Sequence, residues 1–203
     1  MKLAITTAAA AMLSLAAAPV SRAQEAPPAT EAGASLLALV NLPANGGAKL
    51  TVTSPAFKSG GDIPFENTQY KGNIFPGLSW TKGPAGTKSY TVIMQDGDAM
   101  RNGAPIFHWS LLNVPAAVTK LDAAMAAPPA GAEYGPNIRG TNQAYMGPHT
   151  PAGPKHRYHL QVFALDIVLS HDAGASYEAL TSAMRGHVLA SGELVGLGQA
   201  PPK

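Results

Sequence analysis

The chain of 203 residues is the size of one domain, and its 46% hydrophobic content is too high for a disordered polymer. Charged residues make up only 13%, against a usual share of about 25%, while 21 Gly and 18 Pro point to a chain rich in turns. With no cysteine, a disulfide scaffold, thiolate metal sites, iron–sulfur clusters and thiol catalysis are all excluded.

Residues 1–23 read as a secretory signal peptide. Met1-Lys2 is followed by an uncharged, alanine-rich run over 3–18, then Pro19 and the small-residue site Ser21-Arg22-Ala23. The run is too short and too weakly apolar to span about 30 Å of hydrocarbon, so cleavage after Ala23 and a periplasmic or secreted product without a transmembrane anchor are expected. Loss of Lys2 and Arg22 leaves 12 basic against 12 acidic residues, and no basic stripe remains to recruit nucleic acid.

Residues 24–48 form a Pro- and Ala-rich lead-in, in which the apolar stretch 36–42 fits either a helix remnant or an edge strand. A single domain is expected over 49–203. Residues 49–53 alternate as a strand, and 57–86 are loop-like. Three stronger strands are predicted at 88–95, 106–114 and 156–166. In the first, Tyr90, Val92 and Met94 face one way; in the last, His156, Tyr158, Leu160 and Val162 do so, with His159, Gln161 and Phe163 opposite. One helix is predicted from Ser176 as N-cap, ending by Gly192, with a short last strand over 193–197. The pattern describes a mainly β domain with a few short helices.

Three clusters carry the polar chemistry. Asp96-Gly97-Asp98 ends the first long strand, where the two carboxylates share a rim or one of them closes an Asx-turn. His108 interrupts an apolar strand beside Trp109. The third cluster runs from Gly135-Pro136-Asn137-Ile138-Arg139-Gly140 through Tyr145-Met146-Gly147-Pro148-His149-Thr150-Pro151 to His156-Arg157-Tyr158. His156 and His159 face opposite sides of a strand, so they form no metal-ligand pair. Serine-hydrolase, zinc-protease and phosphate-loop motifs are absent from the sequence.

Taken in order, these pieces resemble the phosphatidylethanolamine-binding protein family, also called the Raf kinase inhibitor-like family, in its bacterial secreted branch. The resemblance rests on Thr53-Ser54-Pro55-Ala56-Phe57, Leu78-Ser79-Trp80, Asp96-x-Asp98-Ala99, His108-Trp109, Gly147-Pro148, Pro151-x-Gly153, His156-Arg157-Tyr158 and Gly186-His187-Val188. It covers roughly residues 49–196. It implies two antiparallel β-sheets with short peripheral helices, one of them near the C-terminus. It also implies a small polar pocket walled by Asp96, Asp98, His108, Pro151, His156 and Tyr158, with Gly147 and Pro148 shaping its rim.

The implied function is binding of a phosphorylated or anionic small molecule or lipid headgroup, with no cofactor and no metal. Two rival readings are an enzyme-inhibiting interaction module with a protein partner and a hydrolase using His108 and His156 as acid and base. The chain departs from the family pattern at Gly97 and Met100, where prolines are usual, at His149-Thr150, and at Gly198, which replaces an aromatic. Gly97 implies a looser acidic loop, and His149 either joins the rim or faces water.

Overall fold

The computed structural model describes residues 31–140 and 144–202; the expected leader and residues 24–30 lie outside them. In chain order the strands are β1 (Ala48–Lys49), β2 (Val52–Thr53), β3 (Leu78–Trp80), β4 (Ser89–Arg101), β5 (Ala104–Pro115), β6 (Lys120–Leu121), β7 (Glu133–Tyr134), β8 (His156–Leu165) and β9 (Val188–Gly198). The helices are short, α1 (Ala38–Asn41) and α2 (Tyr177–Met184), with three-residue 3-10 turns at Ala34–Leu36 and Phe65–Asn67 and a five-residue one at His171–Ala175. The mainly β class with two sheets is as expected. A six-stranded sheet runs β1-β9-β8-β4-β5-β7, and a three-stranded sheet runs β2-β3-β6. One pairing departs from the antiparallel rule, because β1 lies parallel to β9 at the sheet edge.

The apolar alternation read from the sequence sorts the long strands into two cores. Tyr90, Val92, Met94, Tyr158, Leu160 and Val162 face the small sheet, where they meet Val52, Leu78, Trp80 and Leu121. Ile93, Phe163 and Leu165 face the other way and are covered by Ala38, Leu42, Leu180 and Met184 of the helical side. The central sheet is therefore buried on both faces, which is why β4 and β8 carry few charges.

Two boundaries differ from the sequence reading. Strands β4 and β5 run on to Arg101 and back from Ala104, joined by Asn102-Gly103 at φ 52° and 78°. Asn-Gly is the favoured pair for a two-residue hairpin turn, since both residues take positive φ and the turn's twist matches the strands. Helix α2 starts as expected, with the Ser176 hydroxyl accepting from the Ala179 amide, but ends at Met184. Gly186 at φ 81° supplies the left-handed turn that stops it, and β9 is correspondingly longer than the short strand expected.

Residues 34–42, open between helix and strand in the sequence, form a 3-10 turn followed by α1. No side chain of its own caps α1. Instead Gln95 Oε1 accepts the Ala38 amide at 2.8 Å and Gln161 Oε1 accepts the Leu39 amide at 2.6 Å, while Gln161 Nε2 donates to Gln95 Oε1 at 3.0 Å. Two buried strand glutamines thus stand in for the missing N-cap. Replacing Gln161→Leu strands the Leu39 amide and is expected to lower unfolding free energy by about 1–3 kcal/mol. Urea unfolding measures the loss, and hydrogen exchange should show the Ala38 and Leu39 amides losing protection first.

Candidate ligand pocket

The site is built around one strand irregularity. Along the β4–β5 ladder Asp96 pairs with Ile106, but the next pair is Met100 with Pro105, so residues 97–99 bulge out of register. The bulge is held by Asp96 itself, whose Oδ1 accepts the Asp98 amide at 2.9 Å and the Ala99 amide at 3.0 Å. That is the Asx-type turn foreseen as one reading of the acidic pair. The second oxygen does separate work: Oδ2 meets His156 Nδ1 at 2.8 Å across the β4–β8 ladder. Asp96 is only 2% exposed, so its carboxylate is held almost entirely by protein partners.

Around Asp96 lies a cavity of about 490 Å³ that brings together Asp96, His108, Pro151, His156 and Tyr158 of the expected wall. His149 joins them, stacked on Tyr70 with ring centroids 4.6 Å apart and planes 22° apart. Three of the chain's six histidines therefore line one cavity. His108, 3% exposed, sits edge-on to the Tyr158 ring at 5.1 Å. The Tyr158 hydroxyl lies 3.0 Å from Thr150 Oγ1.

Asp98 is not part of the wall. Its carboxylate turns to the neighbouring strand, where Oδ2 accepts the Arg157 amide at 2.6 Å and Arg157 Nε at 3.0 Å, and Oδ1 accepts a guanidinium nitrogen. A buried carboxylate needs such partners, and β8 offers them one residue from His156. Gly147 and Pro148 also stand behind the lining. Gln69 fixes them, donating from Nε2 to the Gly147 carbonyl at 2.7 Å and from its amide to the Pro148 carbonyl at 2.9 Å.

Two of the family departures, Gly97 and Gly198, have packing explanations. A Cβ on residue 97 would come within 2.8 Å of Glu31 Oε1 and 3.0 Å of His159 Nε2. Gly97 therefore gives Glu31 room to approach His159, 2.6 Å away; the position is closely packed, in place of the looser loop expected. At position 198 a Cβ would meet the Tyr158 ring at 2.5 Å, so Gly198 lets that ring lie against β9. Behind the cavity, His159 Nδ1 also meets Glu193 Oε2 at 2.7 Å. Burial opposes charge on the His159 ring, but Glu193 and then Glu31 outweigh it and raise its pKa. No group of three or more side chains suited to a metal ion occurs among the described residues.

Sequence reasoning missed Gln69, Arg101, Ile106, Ile138 and Arg139, all in the lining. The signal for Arg101 was its place before Asn102-Gly103, which makes it the last strand residue of a hairpin. Arg139 lay within a cluster already noted, without a role. The backbone there follows β5: the Gly135 amide donates to the Ser110 carbonyl at 3.2 Å and the Ile138 amide to the His108 carbonyl at 3.2 Å.

Protonation follows from burial. For His108, burial drives the pKa down from 6.5 to about 4, against the opposing pull of Asp96 and the backbone of Gly147 and Met146. The ring is neutral at pH 7. For Tyr158, burial and then the charge of Asp96 raise the hydroxyl's pKa, so it stays a phenol. An ionised carboxylate only accepts, so His156 donates Nδ1–H to Asp96 and Nε2 is left as its second polar atom.

Comparison with known proteins agrees with this architecture. The family model described as phosphatidylethanolamine-binding protein matches residues 53–199. A UPF0098 protein of Methanothermobacter thermautotrophicus is 37% identical over 152 residues, spanning 73% of this chain and 97% of that protein. A Mycobacterium tuberculosis protein, LppC, whose name assigns it to the lipoproteins, is 31% identical over 156 residues, covering 76% of this chain and 74% of its own length. The crystal structure of a Chlamydia trachomatis homologue of phosphatidylethanolamine-binding protein superposes with a TM-score of 0.67 at 33% identity, covering 75% of this chain and 99% of that one. Escherichia coli YbcL, described as a new member of the mammalian family, gives 0.69 at 28% identity, with 76% and 100% coverage.

Burial of neutral His108 has a measurable consequence. A histidine whose folded pKa lies below its unfolded value stabilises the fold fully above the unfolded value and loses that contribution as pH falls toward the folded one. Between pH 6.5 and about 4 the His108 contribution to unfolding free energy is expected to fall by on the order of 3 kcal/mol. Urea unfolding at stepped pH measures it as the difference in slope between the native chain and His108→Gln.

Proposed function

The chain belongs to the phosphatidylethanolamine-binding protein family, and on that premise we propose that it is an exported binding protein whose cavity takes the phosphoryl or other anionic group of a small ligand. The observation that carries this reading is the Asp96–His156 pair. With Nδ1–H committed to Asp96, His156 lines the cavity with Nε2 as the ring nitrogen left for a ligand, an acceptor for the hydroxyl of a monoprotonated phosphoryl group. Neutral His108 and the Tyr158 phenol add uncharged polar atoms nearby.

Magnitudes favour binding that is weak and reversible. A hydrogen bond involving a charged group contributes about 1.5–3 kcal/mol net, and association costs at least about 4 kcal/mol, so two or three contacts yield roughly millimolar affinity for a bare anion. Tighter binding requires contacts beyond the anionic group, and Ala99, Ile106, Ile138 and Pro151 in the same lining supply apolar surface for them. The reading is of a binder. Both oxygens of Asp96 are occupied, the Tyr158 hydroxyl holds its proton, and the described lining contains no serine or threonine to act as nucleophile. Export rests on the leader-like residues 1–23, and the lipoprotein name of a relative is consistent with it.

Isothermal titration with inorganic phosphate and with ethyl phosphate at pH 7 tests the proposal. The expected result is binding of both compounds, and its loss in the double variant His108→Ala, His156→Ala. Equal binding by the double variant would overturn the assignment of the site.

A further inference from the structure

The charge around the cavity goes further than the anionic group alone. Arg101, at the tip of the β4–β5 hairpin, and Arg139, beside β5, line the same cavity as His108 and His156. Arg139 Nη2 lies 3.4 Å from Gln69 Oε1, and Gln69 is itself held by the Gly147 and Pro148 carbonyls. Arg101 has no carboxylate partner among the described residues, and its charge reaches His108, where it opposes protonation. The one acidic residue of the lining is Asp96, which is already hydrogen-bonded through both oxygens. Without the leader the chain is formally neutral, so this is a local cationic rim on an uncharged protein.

The space available points the same way. At about 30 Å³ per water, a cavity of about 490 Å³ holds more than a dozen waters, which is more than one tetrahedral oxyanion displaces. A ligand that fills it reaches the two guanidiniums as well as the histidines. An ammonium group beside the guanidiniums faces like charge with no free carboxylate in the described lining, whereas a carboxylate or second phosphate there meets forked donors suited to it.

Resting on the anion-binding reading above, we propose that the site selects doubly anionic phosphorylated ligands, with a second acidic group held by Arg101 and Arg139, and rejects the zwitterionic phosphoethanolamine group. Such chemistry is shared by free phosphorylated acids and by lipid headgroups that carry a carboxylate.

Three compounds of similar length isolate the end charge: phosphoglycolate, ethyl phosphate and phosphoethanolamine. In calorimetry at pH 7 and low salt, phosphoglycolate is expected to bind at least about 10-fold more tightly than phosphoethanolamine, with ethyl phosphate between them. In the double variant Arg101→Gln, Arg139→Gln that ratio is expected to fall below about 3-fold, because only the guanidiniums distinguish the end groups. Phosphoethanolamine binding as tightly as phosphoglycolate while ethyl phosphate still binds would overturn the inference and leave the anion-binding reading intact. A ratio unchanged in the arginine variant would overturn it too. Failure of all three compounds to bind would remove both proposals. Co-sedimentation with phosphatidylserine-containing vesicles, absent with phosphatidylcholine alone, would support the inference with a lipid headgroup as the source. Phosphoglycolate selectivity without co-sedimentation would support it with a free ligand.

Discussion

The carboxylate of Asp96 is divided between two tasks, and the site depends on that division. One oxygen ties down the amides of Asp98 and Ala99 and so creates the bulge in β4; the other orients His156 from the neighbouring strand. A carboxylate accepts through both oxygens at once, which an amide or hydroxyl side chain does not do. Burial makes the arrangement stricter, since an ionised group removed from water must keep every partner it has. Asp96 therefore joins backbone shape to imidazole orientation, and the cavity forms where the two meet.

The surroundings serve to hold that residue still. On one side Arg157 takes up Asp98, so the bulge is pinned to β8 by charge as well as by the ladder. On the same face of that strand, His159 binds Glu193 of β9 and Glu31 of the N-terminal segment, and Arg157 Nε lies 3.5 Å from the same Glu31. Gly97 leaves space for Glu31 to make that approach, and the Gly33 amide donates to the Gly97 carbonyl at 2.9 Å. The segment ahead of α1 thus packs on the back of the acidic bulge, and the glutamine pair Gln95 and Gln161 continues the contact into α1. Alternation along β8 sends His156 to the cavity and His159 to this clasp.

Much of this was legible in the sequence because it depends on period-two alternation and on ordered short motifs. The split of Tyr90, Val92 and Met94 from Ile93, and of Tyr158 and Leu160 from Phe163, follows from the pleat alone. Asp96, His108, Pro151, His156 and Tyr158 were found together through the family resemblance, and the cavity brings them together. Asp98 was not separable from Asp96 by sequence, because the choice between cavity and Arg157 is made by a cross-strand neighbour 59 positions away. The guanidiniums were missed for a related reason. Arg101 and Arg139 reach the cavity through a hairpin tip and an irregular edge, and neither position carries a periodic signal. Gly97 reads in the sequence as a looser loop, whereas it admits a close contact, as Gly198 does against Tyr158.

The low charge of the chain gains meaning from these placements. Few charged residues are present, and several of them are spent in pairs around one bulge, while two guanidiniums line the cavity beside it. Asp96 fixes His156 as the Nδ1–H tautomer, which leaves Nε2 as the ring nitrogen available to a ligand. Long-range proton–nitrogen NMR of the histidine rings, with and without ethyl phosphate, measures this directly. The expected spectrum shows His156 carrying its proton on Nδ1 in the free protein, with the Nε2 resonance shifted on addition of ethyl phosphate. A His156 ring protonated at Nε2 alone in the free protein, or unaltered when ethyl phosphate binds, would contradict it.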